Sequence, residues 1–120
     1  MKCLALIMGL LGLGSPLWAD CRPVNITEFR EATQKSPNRV VFFASWCSSC
    51  ASHITADRIQ DTIFVASADT KPKADKVLQV YLKDRASAAT CFFDKDESIA
   101  QAFGVRNLPV EKSIRDLRQP

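Results

Sequence analysis

The chain has 120 residues, 47% hydrophobic and 24% charged, with four Gly and six Pro. That balance fits one globular domain and excludes a fibre or a solvated tail. Sixteen Lys and Arg against 13 Asp and Glu give a net charge of +3, and neither sign gathers into a patch, so no nucleic-acid partner is implied.

Residues 1–19 read as a secretory leader. Met1-Lys2 precedes an apolar run from Cys3 to Gly14, and Leu17-Trp18-Ala19 sets a small residue at a cleavage point, so cleavage is expected after Ala19. The run is shorter than the ~20 apolar residues of a comfortable bilayer crossing. Extended through Ser15 to Trp18 it becomes, in the alternative, an uncleaved anchor, the one membrane attachment the sequence offers. Asp20 stands before Cys21 where lipid attachment requires a small residue. Both readings put the domain, residues 20–120, in an exported, oxidising compartment, the periplasm or cell envelope.

Within the domain, Asn25 to Arg30 predicts a helix, with Asn25 or Thr27 able to cap its start and Ser36-Pro37 closing it. Val40-Val41-Phe42-Phe43-Ala44 is a continuous apolar run suited to a central strand buried on both faces. A helix is then expected to open at Cys47-Ser48-Ser49-Cys50 and to run on through Ala51 to Ile59. Ile63 to Ala66 reads as a strand, Lys71 to Lys83 as a helix, Thr90 to Phe93 as a strand and Asp94 to Phe103 as a last helix stopped by Gly104. Val105 to Pro109 follows as a turn or loop. Strands alternating with helices predict an α/β domain with a parallel-type sheet.

The chemistry-bearing residues are cysteines. Cys3 leaves with the leader, and Cys47 and Cys50 are the most local of the pairs left. Cys21 and Cys91 either form a second disulfide or stay as free thiols. A thiol at a helix start lies near unpaired backbone N–H groups that stabilise its thiolate, so Cys47 is the expected nucleophile. Cys50, one turn on, is placed to resolve the mixed disulfide. No cofactor is needed, because the two thiols carry the electrons. His53, the only histidine, excludes a histidine-rich metal site and reads as a solvated helix residue.

The stretch Phe42-Phe43-Ala44-Ser45-Trp46-Cys47-Ser48-Ser49-Cys50 resembles the strand and active-site turn of the thioredoxin superfamily. Asp94 to Pro109 resembles the segment that leads to the cis-proline of exported TlpA-type members. The resemblance covers about residues 25–110. It implies a three-layer thioredoxin-like fold, a Trp46 packed beside the redox pair, and a cis Pro109, preceded by Leu108, that helps bind the partner's extended chain. It also implies a protein thiol–disulfide oxidoreductase whose partners are protein thiols and disulfides, working as a reductase kept reduced by a membrane electron donor.

The sequence departs from that pattern in three places. Only eleven residues follow Pro109, so the family's C-terminal hairpin and helix are expected to be missing. Val110, Ile114 and Leu117 fall on one face of a short helix, and Glu111, Lys112, Arg115 and Asp116 are poor strand material, so the central strand is expected to lack a neighbour on that side. Val41 stands where many thioredoxins bury an acid that takes a proton from the resolving cysteine. Ser48-Ser49 replaces the proline-containing pair common in reductases. Two rival readings stand beside the oxidoreductase: a metal-binding module using Cys47, Cys50 and Cys91, and a non-catalytic relative.

Overall fold

The computed structural model describes residues 19–35 and 38–115. The leader expected at 1–19, the Ser36-Pro37 stop and Asp116 and Leu117 lie outside them, apart from Ala19. Five strands form one mixed sheet in the order β1-β4-β3-β2-β5. They are β1 (Cys21–Pro23), β2 (Arg39–Phe43), β3 (Thr62–Ala66), β4 (Thr90–Phe93) and β5 (Val110–Ser113). The first four run parallel in the register Val41↔Phe64 and Phe64↔Cys91, while β5 pairs antiparallel to β2 with Phe42 opposite Val110.

Alternation along the strands divides the core between the two faces of the sheet. Val40, Phe42, Ile63, Val65 and Phe92 face one side, where they meet Phe29 of helix α1 (Ile26–Thr33) and Ile99 of α3 (Ser98–Ala102). Val41, Phe43, Phe64, Ala66 and Cys91 face the other, against Ala74, Leu78 and Leu82 of α2 (Lys71–Leu82) and against Cys50, Ile54 and Ile59. The result is an α/β domain of helix, sheet and helix layers. Each fully buried Phe of this core contributes roughly 1.5–3 kcal/mol. Among the described residues no helix is long and apolar enough to cross a membrane.

Local chemistry explains where the elements begin. Asn25 caps α1 by accepting from the Glu28 amide at 2.8 Å, while the Glu28 carboxylate accepts from the Asn25 amide at 3.1 Å. The helix expected from Asp94 starts later, at Ser98, because the buried Asp94 carboxylate accepts from the amides of Ile99 and Ala100 at 3.0 and 2.8 Å and holds the intervening turn open. Gly104 ends the segment at φ 68°, the left-handed conformation glycine adopts without penalty.

Three expectations are corrected. The helix through Ile59 is instead two six-residue 3₁₀ turns, Ser48–His53 and Ala56–Asp61, parted at Ile54 and Thr55. Serines compete for backbone partners, as Ser52 does by donating to the Ser49 carbonyl at 3.3 Å, and the β-branched pair favours extended backbone. Val110–Ser113 of the expected short C-terminal helix is a strand, β5, with helical backbone beginning only at Ile114 and Arg115, so β2 does have a neighbour on that side. The free hydrogen-bonding edge of β2 outweighs weak strand propensity, and an edge strand tolerates charge: Glu111 finds cations across the sheet and Lys112 is only half-buried. The third is the wholly parallel sheet, which β5 makes mixed; β1 was not anticipated, because a three-residue strand leaves no periodicity to read.

Candidate functional site

The C-terminal ends of β2, β3 and β4 lie side by side, the location where open α/β sheets gather ligand-binding groups. Two backbone bonds lock these ends together: Ser67 donates to the Phe43 carbonyl at 2.8 Å and Asp94 to the Ala66 carbonyl at 2.9 Å. The chain leaves β2 through Ala44 and Ser45. Asp69, in the loop after β3, accepts from the Ser45 amide at 2.5 Å and from its hydroxyl at 2.8 Å. That carboxylate fixes the turn into Cys47, whose amide donates to the Ala44 carbonyl.

Cys47 and Cys50 are joined in a disulfide with Cα atoms 5.4 Å apart. Both residues are buried, Cys47 at 7% exposed and Cys50 at 1%, so Cys47 is the outer residue of the pair. The Ser49 hydroxyl lies 3.6 Å from Cys47 Sγ. Since the 3₁₀ turn after Cys47 is short, little helix dipole acts there, and this hydroxyl is a local donor for a Cys47 thiolate. The sequence marked Ser49 only as an unusual spacer. Val41, at the position read as lacking the family's acid, is fully buried.

Trp46 is the most exposed large apolar residue among those described, at 64%, and its indole N–H donates to the Ala68 carbonyl at 2.8 Å. Ala68 reaches that position with φ 55°, rare for a residue with a side chain. Leu108 is half-buried and packs against the cluster that contains both cysteines. The Leu108–Pro109 peptide is cis, and the pairing of Val110 with Phe42 puts Pro109 at the end of β2 from which Cys47 follows. Cys47, Cys50, Trp46, Leu108 and Pro109 thus belong to one end of the sheet.

His53 turns away toward β5, with Nδ1 2.9 Å from Glu111 Oε2. Glu111 also receives both terminal nitrogens of Arg58, and this pairing, aided by His53, holds its carboxyl at about 2. This clamp has no local sequence signature, because its members are 53 and 58 residues apart.

Cys21 and Cys91 form a second disulfide across β1 and β4, both nearly inaccessible. Cys91 is therefore engaged away from the Cys47 pair. No group of three or more His, Cys, Asp or Glu side chains able to hold a metal ion occurs among the described residues. No protein-family model matches the chain, and no curated protein or solved structure matches it.

Proposed function

We propose that this chain is an exported, thioredoxin-like protein thiol–disulfide oxidoreductase that works through Cys47 and Cys50, more readily as a reductase than as an oxidant. The observation that carries the reading is the pairing of an outer and an inner cysteine at the end of a buried central strand. Trp46, the residue before Cys47 in the chain, is 64% exposed, as a side chain that meets a partner would be.

In the proposed cycle the Cys47 thiolate attacks one sulfur of a partner disulfide. A Cys47–partner bond forms as the partner's bond breaks, and the departing thiolate takes a proton from water. Cys50 then gives its proton to water and attacks Cys47 Sγ, which closes the Cys47–Cys50 bond and releases the second partner thiolate to take a proton from water. The partner gains two electrons and the protein pair loses two. Without an acid at Val41, water receives the Cys50 proton, which makes the resolving step slow. Return to the dithiol requires an external reductant, in this reading a membrane electron donor.

Insulin reduction by the chain, with Cys47→Ser alongside and the potential titrated against glutathione, tests the reading. Activity lost in the variant supports it, and a potential below that of glutathione supports the reductase direction. A folded chain with no activity refutes it.

A further inference from the structure

Three large apolar side chains are exposed among the described residues: Trp46, Val80 at 57% and Tyr81 at 37%. They are not scattered. Val80 and Tyr81 belong to α2 and line a shallow recess with Ser45, Val77, Lys73 and Lys76. Ser45 is the chain neighbour of Trp46, and Lys73 also lines the groove that Trp46 borders with Asp69 and Thr70. Exposed apolar side chains therefore stand at both ends of a strip that runs from Trp46 through Ser45 and Lys73 to Val80 and Tyr81.

The charged side chains that line the Val80–Tyr81 recess are both cationic, Lys73 and Lys76. At the Trp46 end Asp69 keeps its negative charge, since the Ser45 and Thr70 groups that donate to it are neutral. Asp75 accepts from the Cys21 amide at 2.6 Å and from Lys71 at 2.8 Å, and Lys71 also meets Asp20 at 2.7 Å. Lys73 and Lys76 make no ion pair among the described residues. In the Trp46 groove Lys95 and Glu97 offset one another in charge. Exposed apolar side chains beside two cations that make no ion pair suit a partner of opposite charge.

We propose that this strip is the docking surface for the protein whose disulfide Cys47 attacks, and that the partner presents an apolar side chain flanked by carboxylates beside that disulfide. The inference rests on the oxidoreductase reading and adds its substrate class. A second copy of this chain fits less well, since it brings its own lysines to the same strip.

The test uses the full chain, reduced beforehand, and three disulfides: a short peptide disulfide with Leu between two Glu, its counterpart with Leu between two Lys, and neutral 2-hydroxyethyl disulfide. The Glu peptide is expected to react about tenfold faster than the Lys peptide at low salt. The gap closes in about 0.5 M salt, where screening falls to a few ångströms. Lys73→Glu with Lys76→Glu reverses the order, Val80→Ser slows both peptides several-fold, and the rate with 2-hydroxyethyl disulfide stays unchanged. Peptide rates indifferent to charge and to these variants, with 2-hydroxyethyl disulfide still reduced, overturn the docking surface alone. Failure with all three disulfides overturns the oxidoreductase reading and the surface with it. A dimer that Val80→Ser dissociates assigns the strip to a second copy and also overturns the proposal.

Discussion

Glu111 receives both terminal guanidinium nitrogens of Arg58 across the gap between β5 and the second 3₁₀ turn. The same carboxylate meets His53, the last residue of the turn that contains Cys50, and Arg39 of β2. One side chain on an edge strand thereby ties down the segment that carries the cysteines, in place of the long helix expected there.

That clamp makes stability depend on acid. The Glu111 carboxyl is lowered to about 2 from an ordinary 4.5, chiefly by Arg58. Its contribution is complete above about pH 4.5 and is lost as pH falls from there toward 2, because the unfolded chain binds the proton first. The side chain is 31% exposed, so screening limits the effect to roughly 1 kcal/mol. Urea unfolding of Glu111→Gln should show about that loss at pH 7 and a flatter dependence between pH 4.5 and 2. A variant that keeps the acid limb of the parent assigns it to other carboxylates.

Asp94 acts with the opposite sign. Burial raises its carboxyl above 3.8, against the lowering effect of the Ala100 and Ile99 amides. The folded state therefore holds this proton more tightly, and the contribution declines as pH rises from 3.8 through the folded value. Asp94→Ala removes that decline but strips two amides of their acceptor, so it should lower stability at pH 7 by about 1–3 kcal/mol. Hydrogen exchange localises the loss: the Ile99 and Ala100 amides should lose protection first. Unchanged protection there contradicts the capping role.

The Cys21–Cys91 disulfide spans 70 residues and holds the edge strand β1 to β4. In the chain-entropy account a loop of that length stabilises the fold by about 4 kcal/mol, of which measured cases deliver 2–4. Replacing both cysteines with Ala should lower the thermal midpoint while leaving insulin reduction per folded molecule intact. Loss of activity from a folded variant gives this pair a part in the redox cycle.

How far the sequence could be read follows from the range of the forces involved. The helix at Asn25 was legible because its cap and its Glu28 partner are local, and α2 because Val77, Leu78, Tyr81 and Leu82 recur at helical spacing. Strands β2, β3 and β4 were visible as short apolar runs. Strand β5 was not, since Val-Glu-Lys-Ser has no strand signature and forms only because β2 offers it an unpaired edge. The two 3₁₀ turns were hidden for a related reason: tertiary contacts at Cys50, Ile54 and Ile59 fix their path, and three apolar residues do not set a period. At the site, the cysteine pair was evident from spacing, while Ser49, Asp69 and Ala68 acquire meaning only from where the loops meet.

The two cysteines should differ sharply as targets. Both cysteines belong to the apolar cluster, but Cys47 is the outer residue, has the Ser49 hydroxyl at 3.6 Å and follows a turn braced by Asp69, whereas Cys50 is 1% exposed. Donation from Ser49 favours the thiolate of Cys47, and burial disfavours that of Cys50. Cys50→Ser should therefore accumulate a mixed disulfide with a protein partner, visible on non-reducing gels and released by dithiothreitol, while Cys47→Ser should trap nothing. Ser49→Ala should raise the pH midpoint of alkylation at Cys47 in the reduced chain without altering the fold, because the thiolate loses a donor. An unchanged midpoint removes Ser49 from the mechanism, and trapping by Cys47→Ser rather than Cys50→Ser reverses the assignment of attacker and resolver.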